Sequence, residues 1–310
     1  MNETTRTYDV IVIGAGPVGE NVAERARAAG LSTVIVEREL PGGECSFGAF
    51  DPGKALLRPV VAQADARRVP GLGRAVAGPL DAGAVLAHRD KMASCWKDED
   101  QAGWLESVSV DLIRGHGRLD GPRTVRVQTA GGDAITLSAR HAVALATGTH
   151  AAVPAVPGLD TVRAWTSCEA TSAGTVPSRL AIVGGGVVAV EMATAWQALG
   201  SQVTMLVLED GLLQRMESFA GRLVTDGLRE AGVDVRFTTC VARLARENGE
   251  VQIALADGGH LVADEILFAT GRAPNTWDLG LETIGLTPGD WLKVDDTFRV
   301  TGVADGWLYA

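Results

Sequence analysis

Reactive side chains concentrate in residues 42–54, a stretch that contains a glycine pair, Cys45 and Lys54. The glycines, followed by the apolar run at 55–57, are typical of a loop that leads into a helix. We therefore expect Cys45 to lie beside the positive N-terminal end of that helix, an environment that lowers the pKa of a thiol. Cys45 is accordingly the first candidate for a catalytic group.

The other residues that could take part in catalysis or metal binding are scattered along the sequence. The four cysteines, Cys45, Cys95, Cys168 and Cys240, are too far apart for a Cys-x-x-Cys pair or a metal-ligand cluster, so the sequence predicts no metal site. We expect the last three to be buried or inert thiols. The five histidines lie in unrelated segments and form no Ser/His/Asp pattern. Among them only His150, two residues after a Thr-Gly turn, is worth testing as part of a site.

Composition and charge exclude several classes of protein. Of the 310 residues, 46% are hydrophobic and 21% are charged, which is typical of a soluble globular protein with room for two domains. The net charge of −10 argues against nucleic acid or an anionic membrane as a partner. Because the sequence has neither an apolar run of about 18 residues nor an apolar N-terminal signal region, we expect a cytoplasmic protein.

The elements that must position these groups begin with a strand, a glycine turn, a helix and a second strand. Residues 8–13 are rich in β-branched side chains, residues 20–29 have a helical pattern, and residues 33–37 are the next predicted strand. The glycines of the turn are Gly14, Gly16 and Gly19. Such a unit holds a dinucleotide pyrophosphate at a helix N-terminus, and Glu37 stands where an acidic residue accepts the ribose hydroxyls.

The same pattern returns after a linker with two prolines at 154 and 157, which we interpret as a domain boundary. A strand at 180–183, a turn, a helix at 190–199 and a strand at 202–208 predict a second dinucleotide fold. The residues of its turn are Gly184, Gly186 and Ala189.

Further patterns complete an α/β chain. The other predicted elements are helices at 56–68, 80–106 with breaks, and 219–231, strands at 110–115, 141–146, 233–237 and 265–272, and hairpins centred on 130–133 and 257–259. The charged residues of 80–106, Arg89 among them, are expected on a solvated face. The strand at 265–272 is expected to return the chain to the first domain.

The two dinucleotide folds, the paired Ala-Thr-Gly turns at 146–148 and 269–271 and the Gly-Gly-x-Cys loop together resemble the FAD-dependent pyridine nucleotide–disulfide oxidoreductases, especially mercuric reductase and dihydrolipoamide dehydrogenase. The resemblance implies two Rossmann-like domains, the second inserted into the first. It places an FAD-binding domain at 1–150 plus 268–310 and an NAD(P)-binding-like domain at 151–267. The FAD contacts that it implies are Gly14, Gly16, Gly19, Glu37, Arg38, Thr147, Gly148 and Arg272.

The chain departs from the family at the cysteine loop. In family members a second cysteine lies five positions after the first, and the pair passes electrons from the flavin to the substrate. Here that position is Phe50, followed by the negative charge of Asp51. The resemblance therefore implies a flavoprotein without dithiol/disulfide chemistry. The substrate-pocket residues that it implies are Phe47, Phe50, Asp51 and Val187, the last of which replaces a tyrosine that covers the nicotinamide pocket in many members.

Two family positions are retained. Lys54 and Glu191 match residues that form an ion pair beside the reactive nitrogen of the flavin, and the alternative is a salt bridge that only joins the two domains. The second nucleotide site is less well specified, because Val207 and Leu208 stand where NAD enzymes place an acid and NADP enzymes an arginine. Binding of NAD(P)H at the second glycine turn therefore stays open.

Three functions remain open at this point. The first is an FAD-dependent oxidoreductase that moves hydride between nicotinamide, flavin and a small-molecule substrate. The second is a redox-silent enzyme that uses the scaffold for a cyclisation or isomerisation, for instance in bacterial secondary metabolism. The third is a non-catalytic partner of a complete homologue in a homo- or hetero-oligomer. An apolar patch of Trp277, Trp291 and Trp307 would serve this function, and the favoured alternative is that the three are ordinary core or rim aromatics.

The C-terminus bears on all three functions. Family members continue past the position of Ala310 into a dimerisation domain with a catalytic His-Glu pair. The sequence alone does not distinguish a natural end at Ala310 from a fragment.

Overall fold

The computed structural model describes residues 4–310, which divide into two compact units. Unit 1 comprises the described residues up to Phe47 together with Trp96–His150 and Ala273–Ala310, and unit 2 comprises Gly48–Cys95 and Ala151–Arg272.

Helices and strands alternate along most of the described chain. In chain order, the elements are β1 (Thr4–Ile13), α1 (Pro17–Ala28), β2 (Thr33–Glu37), α2 (Phe50–Arg68), α3 (Ala82–Met92), α4 (Glu99–Ser107), β3 (Asp111–Arg114), β4 (His116–Leu119), β5 (Thr124–Gln128), β6 (Ala134–Leu145), β7 (Thr149–Ala151), α5 (Ser167–Ser172), β8 (Arg179–Val183), α6 (Val187–Ala198), β9 (Gln202–Leu206), α7 (Ser218–Glu230), β10 (Asp234–Arg236), β11 (Val241–Glu247), β12 (Glu250–Leu255), β13 (His260–Ala263), β14 (Glu265–Phe268), β15 (Arg272–Pro274) and β16 (Leu308–Tyr309).

Unit 1 is built on a seven-stranded sheet. Its strand order is β3-β2-β1-β6-β5-β4, and β16 pairs with β6. The pairs around β1 are parallel, whereas β4, β5 and β6 are antiparallel neighbours. The β-branched residues of the central strands, such as Ile11 and Ile35, are fully buried, which explains why this run forms the middle of the sheet.

Unit 2 contains a four-stranded parallel sheet of order β10-β9-β8-β14 and a three-stranded antiparallel sheet of order β11-β12-β13. Helix α6 packs into the core through Ala193 and the fully buried Trp196. Since β14 pairs with β8, the expectation that the strand at 265–272 returns the chain to the first domain is wrong for β14.

Most predicted elements are present, with shifted ends. Helix α1 begins at Pro17 rather than near residue 20, because a proline at the first helical position has no N–H group to leave unpaired. Helix α2 begins at Phe50 rather than residue 56, and its Pro52 is likewise in the first turn. Both predicted hairpins are confirmed, but β6 is one strand of 12 residues rather than two.

The placement of Arg89 on a solvated face is wrong. This residue of α3 is 1% exposed, and its Nη1 atom donates to the carbonyl oxygen of Ala173, the C-cap of α5, at 2.7 Å. Its Nη2 atom also donates to the carboxylate of Asp90 at 2.7 Å. The guanidinium is buried because it satisfies a carbonyl at a helix end that would otherwise lack a donor.

The compact units divide the chain differently from the predicted domains. Residues 48–95 belong to unit 2, whereas the sequence-based division assigned them to the FAD-binding domain. The assignment of 1–150 plus 268–310 to FAD and 151–267 to NAD(P) stays a prediction, since it concerns what each domain binds.

Within residues 4–310, no helix has the length and apolar character needed to span a membrane.

Candidate nucleotide and flavin site

A cleft of about 370 Å³ in unit 1 brings together most of the predicted FAD contacts. We call it the unit 1 cleft. Its lining includes Gly14, Gly16, Glu37, Arg38, Cys45, Thr147 and Gly148. It also includes His150, which the sequence marked only as worth testing. Trp277, which the sequence suggested for an apolar surface patch, lines the cleft as well.

The three glycines of the first turn have three different physical roles. Gly14 has φ +103°, and a Cβ atom there would lie 2.3 Å from the carbonyl oxygen of Ala146. A Cβ at Gly19 would lie 1.9 Å from the carbonyl oxygen of Gly14, so only glycine lets helix and turn approach this closely. Nothing lies within 4 Å of a Cβ at Gly16, so the turn is open to a ligand there.

The N-terminus of α1 is suited to a phosphate. Gly16 is its N-cap and makes no side-chain cap, and Pro17 is the first helical residue. The free N–H groups of the first turn and the helix dipole therefore favour an anion.

Glu37 at the end of β2 has a fixed carboxylate. Its Oε2 atom accepts from the backbone N–H of Ala15 at 2.7 Å, and its Oε1 atom accepts from the N–H of Glu39 at 2.8 Å. Each oxygen keeps a further lone pair, so the carboxylate can accept hydrogen bonds from the hydroxyl groups of a ribose. Nearby on α1, burial chiefly, and the charge of Glu37 to a lesser extent, raise the pKa of Glu20.

Cys45 lies in a π-helical turn, Glu44–Gly48, rather than in an open loop. It is half-buried and lines the unit 1 cleft. The glycine pair before it explains this position, because a Cβ at Gly43 would lie 3.1 Å from the Cα atom of Gly16, and Gly42 donates to the carbonyl oxygen of Ala15 at 2.7 Å. The pair therefore packs the cysteine segment against the first glycine turn.

His150 is held by Asn275, a contact that sequence reasoning did not anticipate. The backbone N–H of Asn275 donates to the carbonyl oxygen of Gly148 at 3.0 Å, and its Nδ2 atom donates to that of Thr147 at 2.9 Å. The Oδ1 atom of Asn275 then lies 2.8 Å from Nδ1 of His150, and because an amide oxygen can only accept, Nδ1 is the donor in this contact.

Lys54 and Glu191 form the predicted ion pair within unit 2, between Lys54 Nζ on α2 and Glu191 Oε1 on α6. The two side chains are 45% and 28% exposed. The Nζ atom also lies 5.3 Å from the ring centroid of Phe50, four residues earlier on α2. The pair thus joins two helices of one unit; its place beside a flavin stays a prediction.

The second glycine turn repeats the first. Gly184 has φ +127°, and a Cβ there would lie 2.3 Å from the carbonyl oxygen of Ala269, while nothing lies within 4 Å of a Cβ at Gly186. Ala189 is fully buried. After β9, Val207 is fully buried and Leu208 is 65% exposed, so this strand end presents neither a carboxylate nor a guanidinium at these two positions.

The predicted substrate-pocket residues are not gathered in the unit 1 cleft. Phe47 is 9% exposed, whereas Phe50, Asp51 and Val187 are exposed and belong to unit 2. Arg272 also belongs to unit 2, where its Nη1 atom lies 3.5 Å from the Oγ atom of Ser167. These assignments remain predictions.

Two expectations about single residues need correction. Cys95 and Cys240 are exposed and Cys168 is half-buried, so the expectation that these thiols are buried is wrong, and the alternative, that they are inert, stays a prediction. The three tryptophans do not all contribute to a surface patch, because Trp307 is 3% exposed and packs in the core of unit 1. Among residues 4–310, no group of three or more His, Cys, Asp or Glu residues is arranged to hold a metal ion.

Comparison with known proteins gives the family. The model of the pyridine nucleotide-disulphide oxidoreductases matches residues 8–310. The chain belongs to this family, so the predicted resemblance and the α/β fold of Rossmann-like units are confirmed. Proteins of this family bind FAD and use NAD(P)H as a substrate.

Curated relatives include three reductases or dehydrogenases. Dihydrolipoyl dehydrogenase 3 of Pseudomonas aeruginosa is 38% identical over 90% of this chain and 61% of its own length. Mercuric reductase of Shigella flexneri is 33% identical over 94% of this chain and 53% of its own. Glutathione reductase of Burkholderia cepacia is 30% identical over 95% of this chain and 64% of its own. The chain therefore spans between half and two thirds of the length of these relatives.

Solved structures show the same fold. The copper(II) complex of the HOCl-induced flavoprotein disulfide reductase RclA from Escherichia coli matches with a TM-score of 0.85 and 23% identity, over 100% of this chain and 66% of that one. LpdA from Mycobacterium tuberculosis matches with a TM-score of 0.83 and 24% identity, over 99% of this chain and 67% of that one.

Proposed function

We propose that this chain acts as an FAD-dependent oxidoreductase that transfers hydride between a pyridine nucleotide and a small molecule without a dithiol relay. The observation that carries the proposal is the unit 1 cleft, in which Glu37, the open side of Gly16 and the N-terminus of α1 lie together. When bound, FAD supplies the two-electron chemistry of hydride acceptance and donation.

Different residues of the unit 1 cleft would bind different parts of FAD. The first-turn N–H groups of α1 face the pyrophosphate, and the absence of a side chain at Gly16 lets the phosphates approach the backbone. The carboxylate of Glu37 accepts the ribose hydroxyls, because two backbone N–H groups already fix its orientation. Thr147 and Gly148, whose carbonyl oxygens accept from Asn275, also line the cleft.

Loss of the relay follows from Phe50. A dithiol cycle needs two sulfur atoms, and the phenyl ring at the family's second cysteine position has none. Cys45 alone therefore cannot close the intramolecular disulfide that links flavin and substrate in the family.

Lys54, held by Glu191, would place its ammonium at the reactive nitrogen of the flavin and stabilise the reduced ring.

The nucleotide donor would bind at the second glycine turn. Gly184 and Gly186 reproduce the geometry of the first turn, which supports binding of a pyrophosphate. The buried Val207 and the exposed Leu208 provide no group that distinguishes a ribose hydroxyl from a 2′-phosphate. We therefore expect weak discrimination between NADH and NADPH.

An anaerobic spectroscopic titration tests the function. The purified protein should show a flavin absorbance spectrum, and NADH or NADPH should bleach it, whereas dithiothreitol should give no charge-transfer band. A flavin that neither nucleotide reduces would overturn the proposal. A colourless protein that takes up no added FAD would overturn the cofactor assignment as well.

Phe50, Val207 and Leu208 favour a second candidate function, that of a redox-silent enzyme for a cyclisation or isomerisation. Phe50 removes the relay, and the strand end at Val207 and Leu208 lacks the usual nucleotide contacts. Conversion of a substrate without change of its oxidation state and without nicotinamide would favour this candidate over hydride transfer.

A further inference from the structure

Trp277 is a large apolar side chain that lines the unit 1 cleft and is nevertheless 69% exposed. The roles proposed above for the glycine turn and Glu37 do not involve it. An exposed indole at the wall of a cleft offers an open aromatic face to a ligand.

One side of the indole rests on bare backbone. Gly289 has φ +93°, and a Cβ atom there would lie 2.7 Å from both Cε2 and Cζ2 of Trp277. Only glycine leaves room for the ring at this distance, so residue 289 supports the indole from one side.

The backbone around Trp277 is fixed at each side. The Oγ1 atom of Thr276 donates to the carbonyl oxygen of Asp290 at 2.9 Å, and the N–H of Leu119 donates to the carbonyl oxygen of Leu279 at 2.7 Å. Between these bonds, the carboxylate of Asp278 accepts from Nη1 of Arg118 and from Nε2 of His116, the latter at 3.1 Å. The backbone that carries the indole is therefore fixed before any ligand arrives, which lowers the entropic cost of stacking on the ring.

Trp277 lines the same cleft as Glu37 and His116. The N–H of Gly115 donates to the carbonyl oxygen of Glu37 at 2.8 Å, so the next residue, His116, adjoins the end of β2. His116 contacts Asp278, the neighbour of Trp277. We therefore expect a nucleoside whose ribose contacts Glu37 to place its base beside this group of side chains.

We propose that Trp277 is a stacking platform for the adenine ring of the dinucleotide that the unit 1 cleft binds. The inference rests on the proposed FAD binding. The indole contacts the π-face of the base, and no hydrogen bond to the base edge is required. Aromatic stacking of this kind changes affinity by about 5- to 150-fold per base.

The test is calorimetric titration of the apoprotein with ADP and with FMN, which separates the adenine half of FAD from the flavin half. The variants are Trp277→Leu, which keeps apolar bulk over Gly289 but lacks a π-face, and Trp277→Phe, which keeps an aromatic ring. Trp291→Leu is the matched control, because Trp291 is 65% exposed and is not among the residues that line the cleft. Circular dichroism melting verifies that each variant is folded.

We expect Trp277→Leu to weaken ADP binding about tenfold or more and to leave FMN binding unchanged. Trp277→Phe should retain most of the affinity for ADP, and Trp291→Leu all of it. Equal ADP affinity of wild type and Trp277→Leu, or an equal loss for ADP and FMN, would overturn the stacking role while FAD binding stands. A wild-type protein that binds neither ADP nor FAD would overturn both proposals.

Discussion

Lys54 and Glu191 pair across α2 and α6, with the Nζ atom of Lys54 and the Oε1 atom of Glu191 in direct contact. The pairing means that the ammonium has a defined position, and that each partner can be neutralised separately. A structural salt bridge and a pair that tunes the flavin therefore make different predictions for the reduction potential.

Lys54→Met should lower the midpoint potential of the flavin, and Glu191→Gln should raise it. A positive charge beside the ring stabilises the negative charge that the ring gains on reduction, so the two substitutions should shift the potential in opposite directions, each on the order of tens of millivolts. Anaerobic potentiometric titration measures the shifts, with Lys54→Arg as the charge-retaining control. If both neutral variants leave the potential unchanged and only lower stability, the pair has a structural role alone.

Gly16→Val should abolish or strongly weaken FAD binding without unfolding the protein. Gly16 has an ordinary φ of −76° and nothing within 4 Å of a Cβ, so the backbone tolerates a side chain there, and that side chain would occupy the open side of the turn where we place the phosphates. Equilibrium dialysis with FAD measures the loss, expected at about tenfold or more because the backbone can no longer approach the pyrophosphate. Gly103→Val, also at an open glycine of unit 1, is the control. Unchanged affinity in Gly16→Val would contradict the placement of FAD.

The first glycine turn and Glu37 could be predicted from the sequence, because glycine conformation and strand-end chemistry are local properties. The absence of a second cysteine was equally visible at Phe50. The burial of Arg89, the Asn275 contact to His150 and the support of Trp277 by Gly289 could not be predicted. The first two depend on residues more than 80 positions apart, and the third depends on a left-handed backbone that the sequence pattern does not reveal.

The hydrogen bonds of Asp9 should stabilise the folded protein at neutral pH and lose this effect at strongly acidic pH. The hydroxyl of Ser32, then its backbone N–H and Arg140, lower the pKa of Asp9 from 3.8 to about 2. Because the pKa in the folded state lies below the unfolded value, this stabilisation is present above about pH 4 and is lost as the pH falls toward 2. Urea unfolding of wild type and Asp9→Asn should differ at pH 7 and converge at low pH. The exposed Asp133→Asn serves as control, and a difference between Asp9→Asn and wild type that is constant with pH would contradict the account.

Arg89→Met should lower the free energy of unfolding by about 1–3 kcal/mol, because the carbonyl of Ala173 loses its buried donor. Urea denaturation monitored by circular dichroism measures the change. Lys91→Met, at an exposed position of the same helix, should have little effect. Equal stability of the two variants would show that the buried guanidinium contributes no more than a surface charge.

Electron transfer by the flavin without a dithiol can be measured by anaerobic dithionite titration. Wild type should take up about two electrons per FAD, the capacity of the flavin alone, and Phe50→Ser should do the same. Phe50→Cys restores the five-residue cysteine spacing, and we expect it to take up about four electrons after oxidation, because a disulfide accepts two more. Uptake of about four electrons per FAD by the wild-type protein would contradict the account.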